Sequence, residues 1–223
     1  MAGEAARKRA PRNTLNPELI TRTALALLDA HGVEAFGMRA LAKELGVGPM
    51  AVYTYFRGRD ELFDAVRDHA MARHPLRADG ETWQERLRVA CRGIREMMLA
   101  HPCLVRLFAG RPLAGHEAPG AVEALLHVLR TAGFSPSVSA RAYLTLFNHV
   151  LGTAAFEVQM GRQLATAEGR RELKETQRAL SGVEFPALVE VIPELNRSSG
   201  SAQYEFGLDL IITGLEQELA RQA

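Results

Sequence analysis

The chain has 223 residues, 47% of them hydrophobic, and its 27 Lys and Arg against 26 Asp and Glu leave a formal net charge of +1. That length fits one large domain or a small domain joined to a larger one, and the charge balance excludes a uniformly basic or acidic protein. Because no run of about 18 apolar residues could span a bilayer and residues 1–15 lack the apolar core of a secretory signal, a cytoplasmic protein without a membrane partner is expected.

The charge is unevenly spread. Residues 1–60 hold nine bases (Arg7, Lys8, Arg9, Arg12, Arg22, Arg39, Lys43, Arg57, Arg59) against six acids (Glu4, Glu18, Asp29, Glu34, Glu44, Asp60), a balance of +3 that leaves −2 for the remainder. Residues 1–15 combine four of these bases with Pro11 and show no periodic apolar face. They read as a flexible basic arm that tracks a phosphate backbone or enters a minor groove, or as a solubilising tail.

A first helix is expected from Asn16 as cap and Pro17 in the first turn, with Ile20, Ala24, Leu27 and Leu28 on one stripe and Gly32 as the stop. A second, over 38–45, turns Met38, Leu41, Ala42 and Leu45 inward, and Gly46 and Val47 make the turn that follows. The third runs from Pro49 to Tyr55. After Gly58 a fourth repeats Leu62, Ala65, Val66 and His69 at three- and four-residue intervals, so four helices over 17–73 must share one core.

Further helical stripes fall near 82–99, 103–109, 118–132, 138–162, 187–194 and 203–220, separated by Gly and Pro. The polar stretch 161–182 reads as an exposed loop or a mobile short helix. Nothing alternates with period two for long, so the fold class is all-α, with an N-terminal three-helix helix-turn-helix head joined to a larger helical domain. Cys91 and Cys103 sit in apolar surroundings without zinc-ligand spacing and read as buried free thiols, with a redox pair left open.

The run Met38 to Phe56 is two short helices with almost nothing between them, the pattern of a helix-turn-helix that docks on duplex DNA. Its second helix offers Pro49 and Met50 for apolar contact with thymine methyls, and Tyr53, Thr54 and Tyr55 as hydrogen-bond donors to phosphate or bases. Arg39 is the candidate for a bidentate guanine contact, while Lys43, Arg57 and Arg59 suit phosphates. The apolar faces Tyr143, Phe147, Val150, Leu151, Ala154, Ala155 and Phe206, Leu208, Ile211, Ile212, Leu215 either pair inside one chain or form a four-helix dimer interface. A homodimer is expected, because readers of this kind use two half-sites.

The segment LALLDAHGVEAFGMRALAKELGVGPMAVYTYFRGRDELFDAV, residues 25–66, resembles the TetR family of transcriptional regulators. The resemblance rests on the glycine ending the first helix, Met38 and Arg39 opening the second, Leu45-Gly46-Val47 at the turn, Tyr53 to Phe56, and Asp60-Glu61-Leu62. It implies a dimeric helical regulator, usually a repressor released from its operator by a small molecule. By that likeness Arg39, Pro49, Met50, Tyr53 and Tyr55 match operator-contact positions and Arg59 a phosphate-binding lysine. Thr54 and Tyr55 depart from the family's common Trp-His pair.

Residues 131–160 and the late YEFGLDLIITGLEQEL segment resemble the tetracycline-repressor branch. The implied organisation is a basic arm over 1–15, a helix-turn-helix DNA-binding domain over 16–73, and a ligand-binding and dimerisation domain over 74–223. The implied pocket draws on Met98, Arg106, Phe108, His116, Phe147, Asn148, Phe156 and Glu157, which suit an aromatic or otherwise amphipathic effector. Glu157 resembles an acidic position near that branch's drug-bound magnesium. Arg106, Leu107 and Phe108, however, occupy the stretch where the branch carries its metal-holding histidine, so no metal and no cofactor are expected.

Release is expected to work by population shift. The ligand favours a dimer whose heads no longer match successive major grooves, about 34–36 Å apart. No HExxH, P-loop, dinucleotide fingerprint or nucleophile elbow is present, so no enzyme is expected. The alternative readings are an activator, or a helical small-molecule-binding protein without DNA binding.

Overall fold

A computed structural model describes residues 15–111, 115–197 and 200–222. Among these every regular element is an α-helix, and the chain divides into two compact units. The first takes the residues up to Leu76 and residues 100–122. The second takes residues 77–99 and everything from Glu123 onward.

In the first unit α1 (Pro17–His31) starts where local chemistry dictates. The Asn16 side chain accepts the Leu19 N–H at 2.8 Å, Pro17 occupies the first turn, and Gly32 ends the helix at φ 81°. Ile20, Ala24 and Leu28 are fully buried; Leu25 joins them, while Leu27 is only half-buried. Next come α2 (Met38–Glu44) and α3 (Pro49–Tyr53), with Gly46 between them at φ 69°, a left-handed angle that a Cβ would strain. The third helix is two residues shorter than expected. Its last turn tightens there, as the Tyr55 N–H bonds to the Val52 carbonyl.

Helix α4 (Arg59–Arg73) packs on α1, and α6 (Cys103–Gly110) packs on both. Leu41, Val52, Leu62, Val66 and Leu104 are fully buried in this unit. Truncating one of these leucines to alanine would cost about 2–5 kcal/mol. Polar side chains fix α6 at both ends. The Asp29 carboxylate meets His101 Nδ1 at 2.8 Å and accepts the Cys103 N–H at 3.2 Å, and buried Arg67 donates to the Leu107 carbonyl at 2.9 Å while pairing with Asp64. Asp68 accepts the backbone N–H groups of His116 and Glu117, which caps the start of α7 (Glu117–Thr131).

The second unit contains α5 (Trp83–Ala100) to Leu99, α7 from Glu123, and four helices complete within it. These are α8 (Pro136–Ala165), α9 (Ala167–Arg178), α10 (Pro186–Arg197) and α11 (Ser201–Gln222). Leu87 and Met98 of α5, Leu129 of α7, Leu146 of α8 and Leu208 of α11 are buried to completion or nearly so, and Trp83 meets Phe134 edge-on at 5.2 Å. Arg88 with Asp209 and Arg92 with Glu205 join α5 to α11. The polar stretch 161–182 holds the end of α8, the whole of α9 and the turn that follows it. Thr166 caps α9, and Gly169 lies where a Cβ would come within 2.1 Å of the Gln163 carbonyl. Helix α10 buries no residue.

Candidate nucleic-acid interface

The two short helices hold one another through their inner faces and leave the outer faces free. Leu41 and Ala42 of α2 and Val52 of α3 are all buried where the two helices pack, and Phe56 just past α3 is buried as well. Helical spacing then dictates the rest: with Val52 fully buried, Met50 is 75% exposed and Tyr53 42% exposed, flanked by exposed Pro49 and Thr54. The Thr54 hydroxyl donates back to the Met50 carbonyl at 3.1 Å. Arg39 and Lys43, four positions apart on α2, share an exposed face. The fold thus gathers Arg39, Lys43, Pro49, Met50, Tyr53 and Thr54 on one helix pair.

Two other expected contacts are already engaged through their side chains within the chain, Tyr55 and Arg59, and Arg57 is held through its backbone alone. The Tyr55 hydroxyl donates to the Leu15 carbonyl at 2.8 Å. Arg59 donates to the Val33 carbonyl and lies over the Phe63 ring, 4.9 Å from its centroid. The Arg57 backbone N–H donates to Glu61 at 2.6 Å. Arg57 and Arg59 also rim a surface depression with Arg111, Asp60, Glu61 and Asp64. The positive groups there stand beside acids in the first turn of α4.

The residues expected to face an effector are split between the units. Phe108, Arg106 and His116 lie in the first, where Phe108 is buried and Arg106 forms an exposed ion pair with Glu34. In the second, Met98 is fully buried and Phe147 stacks on Tyr143 at 6.0 Å. Asn148 is exposed, so its amide is solvated and has no buried partner to find. Phe156 is likewise 62% exposed. Glu157 accepts from Arg95 at 2.5 Å. Among the described residues no group of three or more His, Cys, Asp or Glu is placed to hold a metal ion.

Sequence reasoning did not single out Arg95, Tyr204, Arg67 or Asp29. An arginine on a helix reads as a solvated charge, and only tertiary packing puts Arg67 and Arg95 at 2% and 7% exposure. Burial also raises the Tyr204 hydroxyl well above its ordinary value and pushes the Cys91 thiol up to about 12. His69 is held below its ordinary value, first by burial and then by Arg73.

Two family models match the chain. The model described as "Bacterial regulatory proteins, tetR family" covers residues 20–66, and "Tetracyclin repressor-like, C-terminal domain" covers residues 75–219. The tetracycline repressor protein class A from transposon 1721 of Escherichia coli is 32% identical over 205 residues, 90% of each chain. The HTH-type transcriptional repressor DrrR1 of Streptomyces coeruleorubidus is 27% identical over 96% of this chain and 82% of its own length. Among solved structures, apo ActR of Streptomyces coelicolor superposes with a TM-score of 0.79 at 28% identity, over 94% of this chain and 98% of that one. ActR in complex with actinorhodin gives 0.76 at 31% identity, over 94% and 99%.

Proposed function

This chain belongs to the tetR family of bacterial regulatory proteins, and from that premise we propose that it is a homodimeric repressor that binds a palindromic operator and is released by a small aromatic or amphipathic effector. DNA reading is assigned to residues 16–73, with the basic arm 1–15 in support, and effector binding and dimerisation to residues 74–223. The observation that carries the reading is the pair α2–α3. Val52 locks α3 from behind, so Met50 and Tyr53 stand out toward solvent on a helix small enough to enter a major groove. Arg39 is assigned a guanine edge, and Lys43, Arg57 and Arg59 the flanking phosphates.

Dimerisation is supported by apolar surface that one copy leaves in water. Leu144 and Phe156 of α8 and Phe206 and Leu210 of α11 are 54–62% exposed. A groove between the same two helices is lined by Val138, Ala142, Leu210, Ile211 and Leu215. Two such helix pairs facing across a two-fold axis make a four-helix interface that buries this surface. Effector release draws support from the ActR complex with actinorhodin and from the tetracycline-repressor relatives.

Fluorescence anisotropy of a selected operator duplex, titrated with protein and then with actinorhodin, tests the reading. Binding that falls away as actinorhodin rises supports it. Equal operator affinity with and without actinorhodin removes that compound as an effector. No salt-dependent binding to any palindromic duplex would favour a ligand-binding protein without DNA binding.

A further inference from the structure

Helix α10 carries an apolar stripe that its own chain leaves in water. Phe185, just ahead of the helix, and Leu188, Val189, Val191 and Leu195 within it are 36–57% exposed, and Ile192 is half-buried. At helical spacing these side chains fall on one side, with Glu190, Glu194 and Arg197 on the other. A helix of 12 residues is marginal in water by itself, and Pro193 within this one offers no N–H to the Val189 carbonyl. Helix α9 gives it little support. It buries only Gly169, and Gln177 of α9 meets Asn196 of α10 through a reciprocal amide pair at 2.8 and 3.3 Å. Packing against something else must hold α10.

We infer that the apolar stripe of α10 packs on a second copy of this chain, as a flank of the dimer interface. The inference rests on the homodimeric reading above and adds to that interface a helix outside the α8–α11 pair. Charge, supply and continuity each point to a second copy.

Residues 183–197 hold Glu184, Glu190 and Glu194 against Arg197, a balance of −2. That charge repels nucleic acid and an anionic bilayer alike, so the complement of the stripe is a protein surface. Supply comes next. Outside the first unit, every large apolar side chain that is exposed among the described residues lies on α8, on α11 or in residues 183–195. The exposed apolar surface of α8 and α11 is uncovered in the same copy that leaves the stripe uncovered, and a partner copy supplies it again.

Continuity places the stripe at the edge of that surface. Three residues separate Arg197 from Ser201, so α10 ends within about 14 Å of the start of α11. Gly200 lies beside Glu157 of α8, 3.6 Å from its carboxylate to the position of a Cβ. The exposed Phe156 of α8 is the neighbour of that glutamate, and the exposed Phe206 follows within the first turns of α11. The stripe thus begins near these two rings, and one partner can cover both.

Hydrogen exchange and sedimentation of the full chain, read at the same concentrations, test this. The amides of α10 should exchange at least about tenfold faster below the dissociation constant of the dimer than above it. Leu188→Glu and Leu195→Glu should each raise that constant about tenfold or more, whereas Ala187→Glu, which adds the same charge outside the stripe, should leave it unchanged. All three positions are exposed, so the core is undisturbed. Equal exchange at both concentrations, or unchanged dissociation constants in both stripe variants, overturns the inference. Exchange that slows only when phosphatidylglycerol vesicles are added makes the occupant a lipid surface and overturns it too. Leu210→Glu separates the inference from the reading beneath it. If Leu210→Glu dissociates the dimer and the stripe variants do not, the α8–α11 interface stands and the α10 flank fails. A wild type that sediments as a monomer throughout removes both.

Discussion

The Tyr55 hydroxyl donates a 2.8 Å hydrogen bond to the carbonyl of Leu15, forty positions earlier in the chain. This ties the residue just past the end of α3 to the residue just ahead of the Asn16 cap of α1. The hydroxyl that the sequence offers to DNA is therefore occupied within the protein. Tyr53 and Tyr55 are equally exposed, and what sets Tyr55 apart is that its hydroxyl is tied to the start of α1.

Tyr55→Phe should therefore weaken operator binding by about tenfold or less, the worth of one hydrogen bond, and leave base preference untouched. Anisotropy against the selected operator and its single-base variants measures both. A changed preference at one base pair would return Tyr55 to the reading surface.

Arg39→Ala should lose about 1–3 kcal/mol of discrimination at a single base pair, while Lys43→Ala should weaken all duplexes alike and lower the salt slope by about one. Salt titrations on cognate and scrambled duplexes separate the two. Equal losses on both duplexes for Arg39→Ala would make it a phosphate contact.

Asp29→Ala removes a cap from α6 and a partner from His101 in one step. Chemical unfolding should show a loss of about 1–3 kcal/mol. The surface variant Glu34→Ala is the contrast, because its partner Arg106 is 70% exposed and such pairs contribute about 0–1 kcal/mol. Equal effects of the two would show that the Asp29 contact is no stronger than a surface pair.

Both cysteines are buried and free, and burial raises both thiols, Cys91 to about 12. The thiolate is the reactive form, so at pH 8 the native protein should react with neither iodoacetamide nor an aromatic disulfide. Guanidinium unfolding should release both thiols. Rapid reaction of the native chain, or a disulfide in it, would restore the redox-pair reading.

Leu210→Glu places a charge on the groove between α8 and α11. If two copies meet there, sedimentation velocity should show a monomer where the wild type gives a dimer, and operator affinity should fall with it. A variant that remains dimeric moves the interface elsewhere.

The head was legible because its boundaries are local chemistry. Asn16, Pro17, Gly46 and Pro49 each constrain a few dihedral angles, and the helices begin or turn within a residue or two of those positions. The larger unit was legible as helices only. Stripe and burial part company there, since Phe156 and Phe206 are apolar yet exposed, whereas Arg95 is charged yet buried. Which face meets protein and which meets water is set by partners far apart in the chain, such as Arg95 with Tyr204. Periodicity within one helix carries no record of that. Helix α9 was ambiguous for a related reason: apart from Gly169 it buries no residue, so no apolar stripe announced it.

In the proposed reading the outer face of α2 and α3 reads duplex DNA as half of a symmetric pair. Selection of binding sites from random duplexes by the full chain tests it most directly. The recovered sequence should be an inverted repeat whose half-sites lie about one helical turn apart or a multiple of it, with the preference lost on Arg39→Ala at one position per half-site. Recovery of no enriched sequence, or of one without two-fold symmetry, would contradict it.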